Sequence, residues 1–596
     1  MKRLSSFKAA WVLSLVFALT IFIGSASAEP WKFGVMSDTQ WIGADDGRSP
    51  NSVPVDIIKK LNTEFINKDV KFVIEVGDLC DNGSINGEDT RAAFAQELYN
   101  AGVGFFPFRG NHDSSQAAAI EFQRIYPQTQ TGVMNATPAN VFTVPNPDAA
   151  VQPFPIVSGS TFTMGSNFSS PQNYIVGGMS YSNLNGLTYS FDYKNVRFVL
   201  LDGQAGKDTN GITPGIDPQQ PWITAQLSGR PAGTHAFVMS HKGLITENHV
   251  DVLFGSDPSK DPDGQNAFFS SLQSNGVRYY IGGHDHMHNR SIITSPDKTS
   301  SVQDILCASD SSKFYTPGYP SNDDKYNVPA FGFTRQTQIS QELHTVGYYI
   351  FTVDGPQVTV DYYSAVPSNV APAGCTAGSP NCEYLIPTVP ALNFVKAETF
   401  GYSFNGHEYL VAQGEPYTAV NETYAGTTAQ ILDGTNGSTA ADFDGRHFTK
   451  AVDTGWTSRP ESDDRDCSAR HRWPWSFKKS HKPKDDEMPA SNILTLWGMA
   501  DLGSDQTDVY TLSMSYDNHE LLPIHLGKGL LGLATEDENG EWVNAVDKNF
   551  GGTKKFILGP WKPGYKLGTY GVDPKTKTAW AVINYNADFA VARFDQ

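Results

Sequence analysis

From Trp31 onward, short apolar runs alternate with stretches of helical spacing, and this predicts strands and helices in turn. Phe33–Met36 reads as a short buried strand ending at Asp38. Val55 to Phe65 has helical spacing, with Ile57, Ile58, Leu61 and Phe65 on one face. Phe72–Val76 is the next strand and ends at Gly77-Asp78. Asp89 to Tyr99 is helical, and Val103–Phe108 is a third strand, ending at Gly110-Asn111-His112. Such a βαβαβ start predicts an α/β fold with a largely parallel core and right-handed crossovers. In open sheets of this kind, ligands bind beyond the carboxyl ends of the strands.

The rhythm breaks between about Pro127 and Asn185, which is rich in Ser, Thr, Pro, Asn and Gly and reads as a long insertion (127–185) lying over the sheet edge. Strands resume at Leu187–Tyr193 and Val196–Asp202. Ala236–Met239 leads into His241, and Val277–Ile281 leads into His284. Gly347–Val353 and Gln357–Tyr363 read as a hairpin around Asp354-Gly355. A Pro- and Gly-rich connector follows over 367–391. Residues 392–596 lack long helical periodicity and carry short alternating strands such as Thr511–Tyr516, Ala579–Tyr585 and Phe589–Phe594, which predicts a separate all-β, sandwich-like domain. Within it, Arg470 to Lys484 is a basic, Trp-containing patch, read as a solvated loop.

A chain of 596 residues fits two domains. The first spans 31–366. Charged residues make up 18% and the formal net charge is -19, so the surface repels polyanions and a nucleic-acid-coating role is not expected. Lys2, Arg3 and Lys8 precede an apolar core from Ala9 to Ile23, and Ala26-Ser27-Ala28 offers a small-residue cleavage site. Residues 1–28 therefore read as a secretory signal cut near Ala28, with a membrane anchor as the alternative, and the mature protein is expected to be periplasmic or secreted with no transmembrane span. Five cysteines are present. Cys375 and Cys382 flank a short loop that an exported protein could bridge, and no CxxC spacing suggests a zinc knuckle.

The chemistry sits at the strand ends. Asp38 and Asp78 supply anionic oxygens, Gln40 and Asn111 supply carbonyl oxygens, and His241, His284 and His286 supply imidazole nitrogens. A mixed N/O set suits Mn, Fe or Zn better than Mg. Seven ligands exceed the needs of one ion, and one carboxylate shared between two ions resolves the surplus. Among other residues near the motifs, Cys80 reads as a small filler and Asp81-Asn82 as a brace for its loop. His288 reads as a neighbour of the ligands or a surface residue, and His249 and His344 as ordinary surface or core histidines. Phe314, Tyr315 and Tyr319 could equally wall a pocket or pack a core.

Taken in order, Asp38-Thr39-Gln40, Gly77-Asp78 with Asp81-Asn82-Gly83, Gly110-Asn111-His112-Asp113, Ser240-His241 and Gly283-His284-Asp285-His286 resemble the calcineurin-like metallophosphoesterase superfamily from about Trp31 to Val366. The resemblance implies a two-sheet αββα sandwich and a purple-acid-phosphatase-like centre of two divalent or trivalent metal ions. Carried over motif by motif, Asp38, Gln40, Asp78 and His286 would hold one ion. Asp78 would bridge to the second, completed by Asn111, His241 and His284. A bridging hydroxide would attack a phosphate ester, with His112 as general acid steered by Asp113. Arg109 stands where the protein-phosphatase branch has a phosphate-binding arginine. The family's first motif usually ends in histidine. Gln40 there implies a first site that prefers Mn or Fe, or that binds metal less tightly.

The function so implied is an exported metal-dependent phosphoesterase. The alternatives are a phosphodiesterase or phospholipase whose insertion shapes the cleft for a larger substrate, and a catalytically weak surface-binding protein retaining the fold. The C-terminal domain could contact a cell surface or polysaccharide.

Overall fold

The computed structural model describes residues 29–593 apart from a set of segments, chiefly 42–52, 135–160, 319–326, 413–427, 434–447 and 460–490. The expected signal segment, the basic patch at 470–484, Cys467 and Tyr319 lie outside the described residues.

The predicted start is present. Strand β1 (Trp31–Met36), helix α1 (Val55–Asn67), strand β2 (Phe72–Val76), helix α2 (Ile85–Asn100) and strand β3 (Gly104–Phe108) follow in order. β1, β2 and β3 are parallel neighbours, Gly34 opposite Val73 and Val73 opposite Phe105. Beyond β1 the sheet turns antiparallel, through Val346–Asp354, Gln357–Ala365 and Val395–Ser403. The hairpin between the first two of these turns at Gly355, whose φ of 54° favours glycine. A second sheet of nine strands has a parallel centre of Val196–Leu201, His235–Ser240, Tyr279–Gly282 and Ser301–Leu306. Both sheets are therefore mixed rather than largely parallel, because hairpins, which need no crossover helix, extend each parallel centre.

The two sheets pack face to face through aromatic rings. Phe33 stacks on Phe351 of its own sheet at 4.6 Å and meets Phe198 and Phe237 of the other sheet edge-on at 5.1 and 5.3 Å. Each such pair adds about 0.5–1.5 kcal/mol beyond its buried area. Ile57, Leu61 and Phe65 of α1 belong to the same core. On the far side, helices Gln220–Ser228 and Pro262–Ser274 bury Ile223, Leu227, Phe268 and Leu272 against Val199, Leu201 and Val238. The layers run helix, sheet, sheet, helix.

Two segments differ from their expected roles. Val395–Ser403 lies past the expected boundary, yet it forms the edge of the first sheet with Phe400 and Tyr402 in that core. The stretch 367–391 is also more than a connector. Its strand Glu383–Leu385 pairs with Ala371–Pro372 and with Lys313–Tyr315, and Cys375–Cys382 closes the loop between its strands as a disulfide. Prolines and glycines mark turns equally well in a free linker and in a packed strap. In the insertion, Ser166–Ser169 pairs with Tyr189–Tyr193 at the edge of the nine-stranded sheet.

The C-terminal region is all-β, with a six-stranded and a five-stranded sheet. Tyr510, Leu512 and Ile583 of one pack with Leu531, Leu533, Phe589 and Val591 of the other, as a sandwich requires. Among the described residues no helix is long and apolar enough to cross a membrane.

Candidate metal centre

The carboxyl ends of parallel strands from both sheets meet at one edge. β1 delivers Ser37 to Gln40, β2 delivers Gly77-Asp78, and β3 delivers Arg109 to Asp113. His235–Ser240 delivers His241, and Tyr279–Gly282 delivers Gly283 to His286. At each end the chain must turn sharply, and Asp38, Asp78, His284 and His286 all adopt left-handed backbone, with φ of 56°, 52°, 75° and 56°. For a non-glycine residue this conformation costs on the order of 1 kcal/mol and clusters at functional sites. The turns also bring backbones into close contact. A Cβ on Gly110 would lie 2.0 Å from Asp78 Oδ1, and one on Gly283 would lie 2.2 Å from Ser37 Oγ, so both motifs require glycine.

All seven expected ligands converge. Asp78 Oδ2 accepts from Gln40 Nε2 at 2.6 Å and lies 3.2 Å from His241 Nε2, while Asp78 Oδ1 accepts from the His112 amide at 2.8 Å. Asn111 Oδ1 is 2.9 Å from His241 Nε2. Asp38 accepts from the His284 amide at 3.2 Å and faces His286 Nε2 at 3.5 Å. Donor atoms of Asp78, His241 and His284 all lie within 4.8 Å of one another, and all three side chains are buried.

Each histidine is oriented through its other nitrogen. His241 Nδ1 donates to the Val76 carbonyl at 2.8 Å, and His286 Nδ1 donates to the Lys313 carbonyl at 2.9 Å with Ser309 Oγ at 2.7 Å. His284 Nε2 donates to Asp251 Oδ1 at 3.1 Å. This is how proteins aim an imidazole lone pair at a cation.

The electrostatics fit a cation as well. Burial, then the nearby Asp78 charge, push the Asp38 carboxyl up to about 6, although His241 opposes this. The Asp78 carboxyl is pulled the other way: burial opposes its charge, but His241 holds it well below the usual carboxylate range. Burial would lower the His241 imidazole, but Asp78 outweighs it and the ring is pushed up to about 9. Burial, followed by His249, pushes His284 down to about 4. Gln40 Oε1 is buried without a hydrogen-bond partner, an orphaned donor atom inside the ligand set. The oxygen and nitrogen donors, their fixed orientations and this orphan fit metal ions.

Two expected roles are corrected. Arg109 does not face the site: its guanidinium is fully buried, bound to Asp202 with Nε at 2.9 Å and to the Lys207 carbonyl at 2.8 Å. Every arm of the fork is held by protein acceptors, so none is presented to a substrate. Asp113 does not steer His112. Its Oδ2 accepts from the amides of Gly110 at 2.9 Å and Leu79 at 3.0 Å, bracing the two loops from below. The Asp81 carbonyl takes the His112 Nδ1 proton instead, with Asp81 Oδ1 3.6 Å away.

Other residues complete the surroundings of the site, Tyr315 among them as one of the two readings open to it. The His249 ring stacks on His284 at 4.0 Å, and its Nδ1 lies 2.9 Å from Asp285 Oδ1. Tyr315 sets its edge against His286 at 5.5 Å, whereas Phe314 is core. Asp251 holds both His284 and Lys242, the latter at 2.6 Å. Ser309 to Lys313 form a buried polar run after strand Ser301–Leu306. A polar run behind an apolar strand is the same signal that marked the other motifs. Cys80 is buried with its thiol pushed up by burial, which suits a filler. His288 is buried and bound to Glu398 at 2.9 Å, and His344 stacks on Tyr384 at 3.8 Å.

Residues 32–288 match the family model of the calcineurin-like phosphoesterases. Among solved structures, the chain is similar to a dimetal phosphatase from Danio rerio, at 14% identity and TM-score 0.30, covering 55% of this chain and 95% of that one. It is also similar to GAP50, described as the anchor in the inner membrane complex of Plasmodium, at 14% identity and TM-score 0.30, covering 56% and 84%. A purple acid phosphatase from yellow lupin (Lupinus luteus) seeds aligns at 14% identity and TM-score 0.29, covering 56% of this chain and 52% of that one. No curated protein matches the sequence significantly.

Proposed function

From a chain that carries a calcineurin-like phosphoesterase domain over residues 32–288, we propose an exported hydrolase of phosphate esters that works with two metal ions. The observation that carries this reading is the convergence of Asp38, Gln40, Asp78, Asn111, His241, His284 and His286, with their histidine nitrogens pre-aimed. Asp38, Gln40 and His286 would hold one ion, Asn111, His241 and His284 the other, and Asp78 both. Two metal ions bound together would polarise a phosphoryl group and lower the pKa of a water between them. The chain's own part is orientation and proton supply. His112 is the general acid: its Nδ1 proton is committed to the Asp81 carbonyl, so Nε2 is the atom that faces an incoming ester. Asp81, rather than Asp113, fixes the ring.

Export is supported by the basic and apolar N-terminal pattern and by the Cys375–Cys382 disulfide, which suits an oxidising compartment. N-terminal sequencing of the mature protein locates the cleavage. The function is tested by assaying phosphomonoesters and diesters with Mn, Fe or Zn, with Asp78→Asn as control. Wild-type protein no more active than that control on every ester would end the reading.

A further inference from the structure

Arg109, which the family resemblance suggested for substrate, is turned into the protein. Another cation, Lys313, lies beside His112. It begins strand Lys313–Tyr315 at the end of the buried run Ser309–Ser312. Its backbone and its side chain point to different tasks. The carbonyl takes the Nδ1 proton of His286, a candidate ligand of the first ion. The ammonium reaches across to His112, beside Asn111 of the second, with Nζ 3.5 Å from His112 Nε2 and 3.8 Å from Asp81 Oδ1. Lys313 thus bridges the rims of both ligand groups.

Neither side-chain contact is a good hydrogen bond, since both exceed the usual N–H···O range. The Lys313 side chain is only 8% exposed, whereas His112 is 29% exposed and faces the opening. A buried ammonium with loosely held protons is costly unless an anion completes its shell. Asp81 pairs with it only at 3.8 Å and is shared with His112, so the ammonium keeps room for a further anion.

We infer that Lys313 is the substrate-binding cation of this site, contacting a non-bridging oxygen of the phosphoryl group held between His112 and His286. This rests on the phosphoesterase reading and narrows it to a substrate class. A phosphomonoester carries a second negative charge that a diester lacks, so an ammonium here favours monoesters. The strap Glu383–Leu385, paired with Lys313–Tyr315 and closed by Cys375–Cys382, holds the lysine in register from outside.

The test uses the full-length protein with its metal content measured, titrated calorimetrically with inorganic phosphate. Lys313→Met keeps the backbone carbonyl, so metal content should be unchanged while phosphate affinity falls about 10- to 100-fold, as for loss of a charged hydrogen bond. Lys313→Arg should recover part of the affinity. In turnover, Lys313→Met should raise KM for a monoester more than for a diester. Four results overturn the proposal: phosphate affinity equal to wild type in Lys313→Met, loss of metal from that variant, equal KM changes for the two ester classes, or no phosphate binding by wild type at millimolar concentration. Phosphate bound through Lys313 by a protein that hydrolyses no ester would instead strike down the phosphoesterase reading and leave the anion contact standing.

Discussion

The two halves of the molecule solve the same packing problem with different materials. Among the described residues, the sandwich buries threonines, asparagines and one carboxylate, Asp573, which is satisfied locally by the Lys575 amide and the Thr576 hydroxyl, both at 3.0 Å. The first domain buries Asp38, Glu75, Asp78, Asp113, Asp202, Asp285, Asp304, Asp310 and Glu398, many of them at strand ends. A β-rich core therefore does not need buried charge to be stable. Where charge is buried at this density, the fold is supporting chemistry, because each desolvated carboxylate must find a cation, a donor or a proton.

The sharpest way to break this contrast is at its centre. Asp78→Asn should lower kcat/KM on the order of 10³-fold, about 4 kcal/mol, and reduce bound metal in elemental analysis. Asp573→Asn, an identical change in the sandwich, should leave turnover unaltered. Equal effects at both positions would erase the distinction.

Glu398 tests the supporting charges. Burial opposes its ionisation, but Arg290 and then His288 outweigh this and hold the carboxyl well below the usual range. A carboxylate depressed in the fold adds stability above its ordinary value of 4.5 and loses it as pH falls through the folded value. Glu398→Gln should cost about 4 kcal/mol at neutral pH, measured by denaturant unfolding, and should flatten the acid limb of the stability curve. An unchanged limb would count against the ion pair.

Leu533→Ala, in the sandwich core, should cost about 3 kcal/mol of stability. Per-molecule turnover should stay intact, so a parallel fall in kcat would show that the domains are coupled. The smallest effect belongs to the strap. Converting Cys375 and Cys382 to serine should cost about 2 kcal/mol, read as a lower midpoint in thermal unfolding without reductant. A midpoint that does not move would make the strap self-supporting.

How far the sequence could be read follows from how local each decision was. The seven candidate ligands sat at the ends of apolar runs, where strand and turn are decided by neighbours in sequence, and each was legible as a candidate. Arg109 was not, because the direction of a long side chain depends on a partner 93 residues away, Asp202. Asp113 failed for a related reason: two loop amides competed for its carboxylate and won. Lys313 ends a polar run behind an apolar strand, a signal the sequence did carry, whereas His249 reaches the site through folding of chain whose own composition is unremarkable for a loop. The segment 367–391 was judged by composition, which reports turns but not what the turns pack against. Helix Pro262–Ser274 and the strand at Val395–Ser403 likewise depended on tertiary partners.

The left-handed candidate ligands carry a last consequence. At Asp38, Asp78, His284 and His286 the backbone conformation is the one glycine adopts most readily. Glycine would relieve the backbone at these places, but the same replacements would strip away the donor atoms and leave their buried partners unpaired. Backbone ease and side-chain chemistry therefore pull the chain toward opposite residues at the same four points, and attempts to harden this protein should leave them untouched.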